Sequence, residues 1–128
     1  MDFATKRLPA LPDVVAPDGS DVRVLLSTAR GGMAHFELAG GRASDAIRHH
    51  TVDEIWFVLS GSGEIWRKQN GREETVALEA GVCITIPVGT HFQFRAATGQ
   101  ALTAVGVTMP PWPGPQEAVP VPGKWHAQ

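Results

Sequence analysis

The residues able to do chemistry crowd into one short stretch. Positions 48 to 58 read Arg-His-His-Thr-Val-Asp-Glu-Ile-Trp-Phe-Val. If the stretch is one extended strand, period-two alternation puts Arg48, His50, Val52, Glu54, Trp56 and Val58 on one face and sends His49 to the other. Two chemistries suit such a face. In the first, His50 and Glu54 are ligand types for Fe, Mn, Ni or Zn, and open coordination positions support oxidation or Lewis-acid catalysis. The second is metal-free: Arg48 clamps a carboxylate, His50 or Glu54 moves a proton, and Trp56 with Phe92 and Phe94 supplies an apolar wall. This suits an isomerase, epimerase, cyclase or lyase. A structural role fits the same residues, because Arg48 and Glu54 can also be a buried ion pair.

The elements that must position these residues are strands. Between residues 22 and 108 the chain breaks into short β-rich runs, such as 33–38, 55–59, 82–86 and 102–108, punctuated by Gly31-Gly32, Gly40-Gly41, Gly61-Ser62-Gly63, Gly81 and Gly89. No long amphipathic pattern competes, so the expected architecture is an all-β sandwich or barrel. Asn70-Gly71 gives the sharpest local signal. A type I′ turn needs positive φ at both central residues, which places a hairpin between 64–68 and 73–78. Nine of the ten prolines fall in 1–20 or 109–128, so arms 1–21 and 109–128 are expected to lie over the barrel or along an edge, with Trp112 and Trp125 as anchors.

At 128 residues and 13.7 kDa, residues 1–128 are read as a single domain. The formal charge is −2 and the eleven Lys and Arg are scattered, which argues against a nucleic-acid partner. No apolar stretch approaches the roughly 20 residues needed to span a bilayer, and the N-terminus lacks the apolar block of a secretory signal, so the cytoplasm is the expected compartment. The one cysteine, Cys83, sits in an apolar run and reads as a buried structural thiol.

The stretch from Gly41 through His50 and Glu54 to Gly61, followed by Gly81, Pro87, Gly89 and His91, resembles the two motifs of the cupin family. The resemblance covers about residues 30 to 108. It implies a small single-domain cupin, a double-stranded β-helix or jelly-roll barrel, whose metal-binding motif is degenerate. By this alignment His50, Glu54 and His91 would be metal ligands and Glu54 and Arg48 catalytic, with Arg48, Trp56, Phe92 and Phe94 lining a substrate pocket. Arg48 takes the place of a first ligand histidine and has no lone pair to offer. His91 comes one residue earlier than the family histidine, where Phe92 stands. A one-residue step turns a side chain to the other face unless a bulge restores it, and His35 is the other source of a third ligand. Which of His91 and Phe92 faces inward stays open at this level.

The expected function is therefore small-molecule binding inside the barrel. It is either an enzyme, a metal-dependent oxygenase or an isomerase or lyase with or without a divalent ion, or a non-catalytic, sensory cupin with an Arg-containing, metal-free pocket. Ile55, Phe57 and Leu59 alternate with the proposed interior face and need cover, which predicts a homodimer.

Overall fold

A computed structural model describes residues 1–16 and 18–128. Among these residues eleven strands form two antiparallel sheets. The first contains β1 (Val14–Val15), β2 (Asp21–Ser27), β3 (Gly32–Leu38), β10 (Leu102–Met109), β5 (Asp53–Ser60) and β8 (Cys83–Ile86), in that spatial order. The second contains β11 (Ala118–Pro120), β4 (Ile47–His49), β9 (His91–Ala96), β6 (Ser62–Gln69) and β7 (Arg72–Glu79). The sheets close face to face as a jelly roll, so alternate residues of each strand point inward. From the first sheet come Leu38, Trp56, Val58, Ile84, Ile86, Leu102 and Ala104, and from the second Ile47, Ile65, Leu78, Phe92, Phe94 and Ala96. Phe36 stacks on Trp56 at 5.5 Å, while Phe94 meets the indole edge-on at 4.9 Å.

The hairpin predicted at Asn70-Gly71 joins β6 to β7, with φ of +50° and +76° at the two turn residues. Cys83 corrects its sequence reading. In β8 it alternates with buried Ile84 and Ile86 and is exposed.

The chain does not run extended through residues 48 to 58. β4 ends at His49 and β5 starts at Asp53, with a bend over His50 and Thr51. Glu117 holds that bend. Its backbone carbonyl accepts from the His50 amide at 3.0 Å. Its carboxylate accepts from the amides of Thr51 at 2.6 Å and Val52 at 2.8 Å, and from the Thr51 hydroxyl at 2.6 Å. Burial pushes the Glu117 carboxyl upward, but these bonds and the nearby His49 outweigh it and hold the group below the usual carboxylate range. Three successive amides outside any ladder thus find acceptors on one residue of the C-terminal arm, which β11 fixes in place by pairing Ala118 with His49.

Farther along, the same arm crosses the outer face of the second sheet. The buried Gln93 amide donates to the carbonyls of Ser44 and Trp125, both at 2.8 Å, and accepts from the amides of Lys124 and Trp125 at 3.0 and 2.9 Å. All four of its hydrogen-bonding positions are used. The Arg95 guanidinium lies 4.2 Å from the Trp125 ring centroid.

Replacing Glu117 by Ala strands buried amides that had charge-assisted partners, and should destabilise the protein by about 3 kcal/mol in urea denaturation. Glu117→Gln keeps one acceptor oxygen and should lose roughly half as much.

Candidate functional site

One end of the barrel holds a cavity of about 240 Å³ between the sheets. The bend at residues 50 and 51 decides what faces it. The extra residues shift the alternation by one step, so that His49 and Glu54, five positions apart, both point inward. His49 is 3% exposed and Glu54 is 4%, and His49 Nε2 lies 3.6 Å from Glu54 Oε1. Both residues line the cavity, together with Trp56 and Phe92. His49 meets the rings of Phe92 and Trp112 edge-on, with centroids at 5.1 and 5.3 Å. Thr108 on β10 pairs directly across from Glu54 and adds a hydroxyl at the same end.

Among the described residues no Lys or Arg lines the cavity with Glu54. Burial pushes it up to about 8, with the neighbouring Asp18 adding to the rise and the Trp56 indole tempering it. The indole Nε1 acts from nearby without completing a hydrogen bond, since it has no partner of proper geometry. Burial drives His49 the other way, down to about 4, against the opposing pull of Glu117. Burial thus pushes both groups toward their neutral forms, a protonated acid beside an uncharged imidazole. Asp18, also on the cavity wall, is raised by burial while it accepts from the Ser20 amide and hydroxyl at 3.0 and 2.7 Å. Gly106 makes room for this arrangement: a Cβ there would lie 2.7 Å from both Glu54 Oε2 and Phe36 Cε2.

The cluster expected from the sequence is not assembled. His50 is exposed at the bend rather than inside, because the strand phase changes after His49. Arg48 lies between inward-facing Ile47 and His49 and so points outward, where it pairs across the sheet with His91 and Val119. It is neither beside Glu54 nor on the cavity wall. Phe92 is 1% exposed and faces inward, which settles the open choice of face and sends His91 outward, with no bulge to restore it. His35 lies on the opposite side of β3 from the inward-facing Ala34 and Phe36, where burial and the Arg23 guanidinium hold its imidazole below the usual value. Of the pocket residues, Trp56 and Phe92 reach the cavity, while Phe94 packs behind the indole.

This geometry also decides how well a metal fits. His49 and Glu54 offer two donors, and Phe92, which lines the cavity beside them, offers none. Among the described residues no group of three His, Cys, Asp or Glu is placed to share an ion. The expected set of His50, Glu54 and His91 is thus dispersed, and the residues present do not fit a resident divalent metal.

His49 and Glu117 are the residues that sequence reasoning missed. The only available signal for His49 was its distance from Glu54, which places both inward if one strand residue is spent on a bend.

Among solved structures, KdgF from Halomonas sp. matches with a TM-score of 0.63 at 17% identity, over 72% of this chain and 81% of that one. Streptomyces PAC13 with uridine matches at 0.66 and 18%, over 82% and 80%. The CENP-C cupin domain of Drosophila melanogaster matches at 0.64 and 15%, over 71% and 70%. At such identities the likeness is one of fold. No curated protein matches the sequence. The family model for the cupin domain matches residues 34–108, more than half of the chain and from β3 through most of β10, and the protein belongs to the cupin family.

Proposed function

We propose that this cupin is a metal-independent enzyme that moves a proton on a small molecule bound in the barrel, of the isomerase or lyase type. One observation carries the proposal: a carboxyl group, Glu54, sits on the wall of an apolar cavity that no Lys or Arg reaches among the described residues, 3.6 Å from the buried imidazole of His49. A carboxylic acid that keeps its proton to about pH 8 is a general acid at neutral pH. His49, held neutral, has a lone pair to accept a proton. In the proposed cycle the Glu54 O–H bond breaks as its proton passes to the bound molecule, and His49 takes a proton from another position on that molecule. The transient imidazolium and carboxylate stabilise one another across their short separation. Return of the proton from His49 to Glu54 resets the site. The uridine in the PAC13 structure supports the idea that a barrel of this shape takes a small organic ligand.

We also propose a homodimer. Ile55, Phe57 and Leu59 on β5 and Met33 on β3 are each more than 40% exposed on the first sheet. The first three form an unbroken outward row, too apolar to be left in water, and a second copy offers a matching face. The compartment we favour is the cytoplasm, where the exposed Cys83 thiol stays reduced.

The protonated carboxyl is testable without a substrate. Infrared spectra should show a carboxylic C=O band that fades as pH rises through about 8 and is missing in Glu54→Gln; a Glu54 already ionised at pH 6 would sink the mechanism. Once a substrate is identified, Glu54→Gln should reduce kcat by about 10²-fold or more, with turnover unaffected by EDTA. A wild-type rate that needs added metal would contradict the proposal.

Stability should follow the same proton. The folded-state value of Glu54 lies above its unfolded value, so its contribution is fully present below about 4.5 and is lost as pH rises toward 8. Glu54→Gln should therefore gain stability relative to wild type by on the order of 1–3 kcal/mol more at pH 8 than at pH 5 in paired urea titrations. For the dimer, light scattering should return twice the 13.7 kDa chain mass, and Phe57→Glu should return the monomer.

A further inference from the structure

We infer that the cavity selects a neutral, mostly apolar molecule with a single oxygen function, about the size of a substituted benzene ring or a monocyclic ketone, and turns away carboxylates, sugars and nucleosides. This deepens the proposed function and rests on it for the choice of Glu54 as the polar end of the site.

Charge supplies the first reason. The ionisable residues on the wall are Asp18, His49 and Glu54, and no Lys or Arg reaches it among the described residues. A carboxylate entering here would meet two carboxyl groups and no cation, with Arg48 outside the barrel. Its desolvation would go uncompensated.

Hydrogen-bonding capacity supplies the second. Away from Glu54, His49, Thr108 and Ser27 the wall is built from side chains such as Val22, Ala34, Phe36, Ile47 and Phe92, with the unpartnered indole N–H of Trp56 as one further donor. Asp18 is engaged with Ser20. One oxygen can be met by the Glu54 carboxyl and its neighbours at the polar end. A sugar or a ribose carries more hydroxyls than these few groups can meet, and those left over would lie against hydrocarbon and lose hydration without a replacement partner.

The mouth gives the third reason. Val14, Val24, Leu26 and Trp112 line the cavity and are also among the exposed large apolar side chains, at 40% to 54%. The apolar wall thus continues outward onto the rim, as it would to cover the hydrocarbon end of a ligand that enters oxygen first. The volume agrees. An apolar cavity of about 150 Å³ holds benzene, and the roughly 240 Å³ found here leaves room for a substituted ring.

The test is a binding panel on the full chain at pH 7, read by saturation-transfer NMR: acetophenone as the neutral ketone, benzoate as its anionic analogue of similar size, and uridine as the hydroxylated ligand. Acetophenone should bind at least tenfold more tightly than benzoate or uridine. Menthone should displace it. Ala34→Phe, which fills the cavity, should abolish binding, and Leu26→Trp at the partly exposed rim serves the same purpose if that variant does not fold. Failure of acetophenone to bind, benzoate or uridine binding equally well, or acetophenone binding that survives the plugging variants would each overturn the inference. Glu54→Gln separates it from the catalytic reading. The amide still donates to a ketone oxygen, so acetophenone affinity should stay within about threefold; undiminished turnover in that variant would remove Glu54 as the proton carrier and leave the ligand class standing.

Discussion

The site depends on one carboxylate that does not belong to it. Glu117, on the C-terminal arm, gathers the backbone N–H groups of His50, Thr51 and Val52 and so fixes a bend between two strands. Without a fixed bend, period-two alternation would continue through the segment and His49 and Glu54, an odd number of positions apart, would point to opposite faces. With it, both point into the cavity. The clamp is strong because its acceptor is charged, buried and given three hydrogen bonds, which together outweigh its desolvation. A weaker acceptor at the same place would leave the phase of the strand to local preference, and local preference does not distinguish His49 from His50.

Glu54 stands in contrast to Glu117, though both carboxyls are buried in the same half of the molecule. Glu117 is ionised because amides and a hydroxyl surround it. Glu54 keeps its proton because its neighbours are an indole, aromatic rings, a neutral imidazole and a second acid whose own value is raised. Two environments push two chemically identical groups apart, one toward structure and one toward proton transfer. The separation depends on packing as much as on charge. Gly106 leaves the space that the Glu54 oxygen occupies, beside the stacked rings of Phe36 and Trp56.

The fold was legible because its signals are local. Asn70-Gly71 specifies a turn by its own backbone preferences, and Trp56 and Val58 share an inward face by alternation within a single strand, whereas alternation grouped Phe92 with Phe94 without saying which face was interior. Glu54 was legible for the same reason: β5 is regular from Asp53 onward, so its phase relative to Trp56 was certain. The faces of His49, His50 and Arg48 were not, since they lie across a bend whose cause is 66 residues away in the chain. The same limit hid Gln93. Alternation put it opposite Phe92 and Phe94 without deciding which face is interior, and only the C-terminal arm crossing that face makes it a buried amide with every bond filled.

These long-range dependences make the arms part of the site. The family match begins at residue 34 and ends at 108, and on that basis the barrel could be treated as the functional unit. Yet Val14 precedes the matched region, Pro111 and Trp112 follow it, and all three line the cavity, while Glu117 sets the orientation of His49. The matched barrel provides Glu54, the aromatic wall and the enclosing sheets. The arms provide the rim and the phase of the strand that bears the imidazole. A cupin can in this way keep the same closed core while altering what it admits, because changes in two terminal segments, which pair only at the edges of the sheets through β1 and β11, act on the mouth and on the polar end.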